Sequence, residues 1–413
     1  MRWTAPVYNP VHVIWNLHGN QSLLSIFIRI IPSSLIQRMI DVIPHAGLLL
    51  CPSRNKALNP TIRLVYMCLA VQIRIQGRQR VPHSNTKDPR PLHTAISEAL
   101  DHFHSLPGVE KTLGISRAAR LISNAIFRPE LIDFLVAELL NLIQHIGESV
   151  AGDEKLLHVT GNSHSSRLLL TKPDRMGLWF YPLSVMLSNR LPFLAWFKLH
   201  HTNPAEEASI LTSSVVRMWA AIVKDKGSPE TVLTFDSYYL RKADAAKINE
   251  DRVNYVAAVR REHFGDLVDS VKDKVTIPGQ WAGVHNPETK ETFVCYWDVD
   301  SAFSKKYVLS NAFTKHHSTQ ITHIVPLYDH YKVIFNVSDL FNKSMHDRFF
   351  PHRKGGKNIS SDLGCIHNFT LTAVLLNVIH CHLDYSKEEN IEYDFEEKCC
   401  ELADELFMYA YNL

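Results

Sequence analysis

Residues 206–236 read EEASILTSSVVRMWAAIVKDKGSPETVLTFD. Residues 206–225 fit a helix, and Thr231 to Phe235 fit a strand that Asp236 ends. Strand-like runs precede them at Leu156–Val159, Ser166–Leu170, Leu178–Leu183 and Phe193–Leu199. Strands, then a helix, then a further strand is the order of an α/β sheet domain. Further strands fit 253–259, 291–297 and 306–310, and helices fit 337–346 and 367–382.

Before Gly152 the texture is helical. From Thr61 to Ile75 apolar residues nearly surround a helix, which predicts a buried one, started by Asn59-Pro60. Residues 76–93 carry Gly, Arg, Pro, Ser, Asn and Asp and predict a loop. A further helix fits 129–147, from Pro129-Glu130 to a stop at Gly147, with Leu131, Phe134, Leu135, Leu139, Leu140 and Ile143 on its inner face. The apolar stretch Leu23–Ile31 is interrupted by Arg29 and lacks a signal-peptide layout. Residues 23–50 read as buried core rather than an interfacial helix, and no uninterrupted apolar run reaches the roughly 18 residues of a membrane span.

The 413 residues predict two to three domains. With 46% hydrophobic and 21% charged residues the chain can bury a large core, so disorder is not expected. Seven cysteines without a CxxC pair exclude a secreted disulfide framework and a zinc ribbon, and predict reduced thiols inside a cell. The formal charge of +2 hides opposed blocks: residues 301–360 are basic, and Asp384–Glu405 is acidic.

Two roles are open to Asp236. A carboxylate at the end of an apolar strand can join others at a sheet edge to hold Mg²⁺, and a two-metal site can activate water against a phosphodiester. Alternatively Asp236 caps a helix beginning near Leu240. Tyr238 and Tyr239 beside it could stack on a nucleotide or pack in the core. Asp153 and Glu154 could join the acidic cluster or pair with Arg175 or Lys172. His380-Cys381-His382 reads as a ligand trio or, given Leu375, Leu376, Val378 and Ile379, as an ordinary helix face.

Several segments, in order, resemble piggyBac-family transposases. Gly152-Asp-Glu-Lys-Leu-Leu-His-Val-Thr-Gly161 resembles the family's Asp-Glu strand, and Lys172-Pro-Asp-Arg-Met-Gly177 its Lys-Pro-x-x-x-Gly hairpin. Asp236-Ser-Tyr-Tyr is similar to Asp-Asn-aromatic-Phe, Ala258-Val-Arg-Arg261 to Gly-Thr-Val-Arg, and Tyr307-Val-Leu-Ser310 to the later strand ending in serine. Tyr331 to Asn342 resembles the last motif, which places Asp339 on the family's third catalytic aspartate, and Asn342 on the acid that follows. Ala57-Leu-Asn-Pro-Thr through Val81-Pro82 resembles the helix and loop leading into the core, and Arg353-Lys354 a following basic pair. The resemblance spans about residues 20–385.

The resemblance implies an α/β, ribonuclease-H-like transposase core at 151–385, with a β-rich insertion around 265–330. A helical N-terminal domain of dimerisation or DNA-binding type would occupy 1–150, and an acidic tail 386–413. It implies catalytic carboxylates at Asp236 and Asp339, with the middle one at Glu288 by counting back from Thr292-Phe-Val-Cys-Tyr296, or at Asp298 or Asp300 if that strand is shifted. Asp236, Asp339 and Asn342 would hold Mg²⁺ or Mn²⁺, and no zinc is expected. Lys305, Lys306, Arg348, Arg353, Lys354 and Lys357 would contact phosphates of double-stranded DNA. Cleavage and strand transfer at transposon ends, a TTAA target and a homodimer in the nucleus follow from the same resemblance, while the lack of a membrane-length apolar run predicts no membrane partner.

Departures from the family pattern open other readings. Ser237 stands for Asn, Leu240-Arg241 for Thr-Ser, Val337-Ser-Asp339 for Gly-Val-Asp, and Asn342 for an acid. The family's cysteine-rich zinc domain has no counterpart, and adjacent Cys399-Cys400 cannot form a zinc knuckle. A domesticated, catalytically inactive DNA-binding or scaffold derivative is the first alternative. The second is an unrelated α/β interaction protein, which predicts that Asp236 and Asp339 lie far apart.

Overall fold

Ser22 opens the first helix, α1 (Leu23–Ile30), by accepting the Ser25 amide with its hydroxyl at 3.2 Å. The structure, a computed structural model, describes residues 13–19, 21–50, 61–78, 92–110, 129–158, 167–168, 176–199, 208–297, 305–312, 361–387 and 393–413. Helices α2 (Ser33–Leu50), α3 (Ile62–Arg78), α4 (Leu92–His104) and α5 (Pro129–Leu142) follow. The helix predicted over 129–147 stops five residues early. Ile143–His145 turns into strand β2, which pairs antiparallel with β1 (Ile14–Trp15).

Strands β3 (Ser149–Gly152), β4 (Lys155–His158), β5 (Arg167–Leu168), β6 (Met176–Met186) and β7 (Pro192–Leu199) come next. Then follow α6 (Ala208–Lys226), β8 (Val232–Phe235), α7 (Lys242–Glu250), β9 (Asn254–Ala258) and α8 (Gly265–Val271). Strands β10 (Trp281–His285), β11 (Thr292–Trp297) and β12 (Lys305–Ser310) lead to helices α9 (Ser361–Tyr385) and α10 (Phe395–Asn412). The strand predicted at each of 156–159, 166–170, 178–183, 193–199, 231–235, 253–259, 291–297 and 306–310 is present within a few residues. Strands β1, β2, β3 and β10 have no counterpart among the strand-like runs of the sequence. The predicted helix 337–346 lies outside the described residues.

One ten-stranded mixed sheet holds all strands from β3 on, in the order β10-β11-β12-β9-β8-β3-β6-β4, with β5 and β7 also pairing β6. β3, β8 and β9 run parallel, and β6 is antiparallel to β3. Strand alternation gives this sheet two unlike faces. Val150, Leu233, Phe235, Tyr255 and Leu309 join the main core, whereas Ala151, Val232, Val256 and Val308 form a small cluster of their own.

The C-terminal helices return to the N-terminal ones. α9 packs on α1 and on β7, where the buried Asn377 side chain accepts the Leu194 amide and donates to the Leu194 carbonyl, both at 2.9 Å. That pairing satisfies strand groups that β6 does not. Within α9, Ile366–Tyr385 has the length and apolarity of a membrane span, yet 94% of that window is buried inside the protein, as a core helix is. The acidic C-terminal segment contains α10, capped by Asp394 and laid along α3. Phe103 and Phe407 stack at 4.2 Å beneath it. Gly77 of α3 allows this approach, because a Cβ there would stand 2.5 Å from the Cβ of Cys399.

Candidate active site at the end of a parallel strand pair

β3 and β8 lie side by side in parallel, with Ser149 opposite Val232 and Gly152 opposite Phe235. The next residue on each strand is a carboxylate: Asp153 and Asp236. Parallel neighbours are about 4.8 Å apart, so this register delivers two acids to one point of the sheet's edge. Asp153 is half-buried and its amide donates to the Pro182 carbonyl of β6 at 3.2 Å. Asp236 is exposed, and its carboxylate accepts the Ser237 amide.

Gly152 makes this register possible. A Cβ there would fall 2.4 Å from two ring carbons of Trp219, which α6 lays across the strand. Trp219 is fully buried and also packs near Tyr239 (5.0 Å) and Phe235 (6.4 Å).

The capping role for Asp236 is not found. α7 begins at Lys242 with Arg241 at its N-cap and no side-chain capping bond. Asp236 instead opens a turn in which the Tyr239 amide donates to the Asp236 carbonyl at 3.1 Å. Tyr239 is fully buried and donates its hydroxyl to Glu154 at 2.6 Å. Burial, then the negative charge of Glu154 and Asp153, pushes the Tyr239 phenol well above its ordinary range. Tyr239 is therefore core, while Tyr238 is half-buried and lies under the Arg260 guanidinium at 5.2 Å.

The structure carries Glu288 away from Asp236. Thr292 of β11 pairs with Ser310, Ser310 with Val256, and Val256 with Thr234, so β11 starts inward of Asp236. Glu288 lies in the β10–β11 turn before it and lines the same cavity as Ser228, Pro229 and Asn254 at the N-terminal ends of β8 and β9. Three inter-strand spacings, about 14 Å, and roughly four residues of strand, about 13 Å, separate it from Asp236. A hairpin turn reverses direction, so counting back from the start of β11 arrives at the opposite end of the sheet from Asp236. Trp297 does end at the Asp236 side, whereas Asp298, Asp300, Asp339, Asn342, Arg348, Arg353, Lys354 and Lys357 lie outside the described residues.

Lys305 and Lys306 start β12 at the same edge as Asp236. Lys305 bends back to donate to the Lys272 carbonyl at 2.6 Å and lies 5.7 Å from the Trp297 ring centre. The His380-Cys381-His382 segment is ordinary helix. His380 bonds the Pro192 carbonyl (2.6 Å) and the Tyr393 hydroxyl (2.7 Å), and His382 the Gln21 carbonyl (2.9 Å). Among the described residues no group of three or more His, Cys, Asp or Glu side chains forms a metal cage. Mg²⁺ does not need one. It keeps several waters and takes one or two carboxylates plus substrate phosphates, and the paired hard oxygens of Asp153 and Asp236 suit it.

These features define a mixed-sheet α/β fold that carries carboxylates at the C-terminal end of its central parallel pair. The chain has the fold of a solved structure described as a piggyBac transposase synaptic complex with hairpin DNA. The match has a TM-score of 0.66 and 14% identity, over 95% of this chain and 82% of that one. No family model and no curated protein matches the sequence. The resemblance read from the ordered motifs is thus borne out at the level of the fold.

Proposed function

We propose that this chain acts on double-stranded DNA as a piggyBac-like transposase, cleaving and transferring strands at transposon ends with Mg²⁺ or Mn²⁺. The observation that carries this reading is the β3–β8 register, which sets Asp153 beside Asp236 on a fold similar to that of a transposase. The inner strands β7-β6-β3-β8-β9 serve as a ribonuclease-H-like core. Its support is the mixed order, parallel for β3, β8 and β9 and antiparallel for β6. Residues 1–150 and 386–413 flank that core as a dimerisation or DNA-binding part and an acidic tail. A homodimer holding two element ends, a TTAA target and a nuclear location complete the reading.

Asp153 and Asp236 would hold the metal, with Asp339 as the third acid. When bound, such an ion would supply a water of lowered pKa and offset negative charge at the reacting phosphate. The carboxylates would hold that ion, with its water, beside the scissile phosphodiester. The water oxygen would bond to phosphorus as the P–O3′ bond breaks and O3′ takes up a proton; the freed 3′-hydroxyl would then lose its proton as it bonds to a phosphorus of the second strand, breaking that strand's P–O3′ bond and releasing the flanking DNA with a 3′-hydroxyl. Arg260, Lys305 and Lys306 supply positive charge along the same edge for backbone phosphates. A second reading, an inactive DNA-binding derivative, is favoured by one observation: Asn342 stands where the resembling motif has an acid and carries no charge.

The test is Mn²⁺-dependent nicking of labelled duplexes ending in TTAA. Asp153→Ala and Asp236→Ala are expected to abolish nicking, and Glu288→Ala to leave it intact. Nicking that survives both aspartate substitutions overturns the assignment. A folded wild type that binds but does not nick a broad set of ends supports the second reading.

A further inference from the structure

We propose that Tyr239 is a positioning residue: its phenol, hydrogen-bonded to Glu154, fixes the spacing between the strand ends that carry Asp153 and Asp236. The inference rests on the metal-site reading above and adds to it the element that holds the two acids together. Pairing between β3 and β8 runs only as far as Gly152 and Phe235. The two aspartates stand one residue beyond it, where the ladder no longer sets their separation. On its outer side Asp153 is tied to β6 by the bond to Pro182. On its inner side the tie is Tyr239. One end of this residue is fixed to Asp236 by the 3.1 Å amide–carbonyl bond, and the other to Glu154 by the 2.6 Å phenol–carboxylate bond.

The strut is stiff. The Tyr239 ring is 0% exposed, with Trp219 at 5.0 Å, Tyr238 at 5.5 Å and Tyr181 at 6.4 Å. An O–H···O⁻ bond of this length belongs to the short, charge-assisted class. The motif that Asp236-Ser-Tyr-Tyr resembles has phenylalanine at this place, so the phenol is a feature of this chain.

The protein carries its own control. Tyr255 is also fully buried and also donates to a glutamate, Glu291, at 2.6 Å, but on the Glu288 side of the sheet. Tyr255→Phe removes a bond of the same kind without touching the strand ends.

The experiment measures Mn²⁺ binding to the full chain without DNA, from the electron paramagnetic resonance signal of the free ion, with circular-dichroism melts as a check on folding. Tyr239→Phe is expected to weaken binding about tenfold, the scale of one hydrogen bond to a charged acceptor, and Tyr255→Phe to change it less than about twofold. Glu154→Ala cuts the same tie from its solvent side, is expected to match Tyr239→Phe, and should add nothing to it in the double variant. Glu154→Gln retains an acceptor oxygen and should recover most of the affinity. Wild-type binding by Tyr239→Phe overturns the inference alone. Loss in Glu154→Gln as complete as in Asp153→Ala also overturns it, by making Glu154 a ligand. No Mn²⁺ binding by wild type removes the metal-site reading and the inference with it.

Discussion

Replacing Gly152 by alanine tests the link between packing and site most directly. The new Cβ would stand 2.4 Å from the Cε3 and Cζ3 atoms of Trp219 and 2.7 Å from its Cδ2. Ordinary carbon–carbon contact begins near roughly 3.5 Å, so strand and indole must separate by about 1 Å. Trp219 cannot turn away freely, since it is fully buried with Phe235 and Tyr239 against it. Overpacking of this kind costs about 1–3 kcal/mol. The displaced strand carries Asp153 on its next residue, and a misplacement of about 1 Å at a reacting centre costs on the order of 10²-fold in rate. Urea denaturation would read the first effect and Mn²⁺-dependent nicking the second. Trp219→Phe removes the clashing part of the ring, so the double variant should recover about 1 kcal/mol or more relative to the sum of the singles. A Gly152→Ala protein within about 0.5 kcal/mol of wild type, nicking normally, would refute the reasoning, because that is the range of an innocent substitution.

Substitutions at two further positions, Asp384 and Glu405, probe the clasps between the termini and the core. Asp384 is 8% exposed and accepts the Trp15 indole N–H (2.9 Å), the Ser188 amide (2.8 Å) and hydroxyl, and the Asn189 amide (3.3 Å). Asp384→Ala strands these donors and should cost about 3 kcal/mol in urea denaturation, with Asp384→Asn costing less. Glu405 accepts the Leu24 amide at 3.2 Å, and burial raises its carboxyl pKa above the ordinary 4.5. Its ionisation therefore opposes folding: the contribution is fully favourable below pH 4.5 and is lost as pH rises through the raised value. Glu405→Gln should raise stability at pH 7 and change little at pH 4, and equal effects at both would refute this.

Most of the sheet was legible, because β6, β7, β8, β9, β11 and β12 are runs rich in Val, Leu, Phe, Tyr and Trp. The helix 206–225 and the strand after it appear within two residues of their predicted bounds. β3 was not legible. Ser149-Val-Ala-Gly is four residues of mostly low strand propensity, and only its neighbours make it a strand. That omission decided the reading of the site. The sequence pattern puts Asp153 at the head of the following run instead of the foot of a central strand, and the resemblance points downstream to Glu288, Asp298 or Asp300 for the middle acid. The end of the C-terminal segment was misleading in another way, because its charge masks an apolar stripe of Phe395, Cys399, Leu402, Leu406 and Phe407 that packs inward.

The weakness of β3 as a strand and its usefulness to the site have one cause. A central strand packed on both faces ordinarily carries large β-branched residues. Here the row that includes Gly152 must leave room for the Trp219 indole, which reaches over to Phe235 and Tyr239. The same indole therefore touches the residue before Asp153, the residue before Asp236, and the tyrosine whose phenol ties Glu154. Small residues in β3 give up intrinsic strand preference and gain a single buried ring against which both strand ends are registered. It follows that the spacing of the acids depends on helix α6 as much as on the strands. Loosening Trp219 should disturb the metal binding proposed for these acids before it disturbs the far end of the sheet, where β10 and β11 hold each other by a regular antiparallel ladder from Trp281–Tyr296 to His285–Thr292.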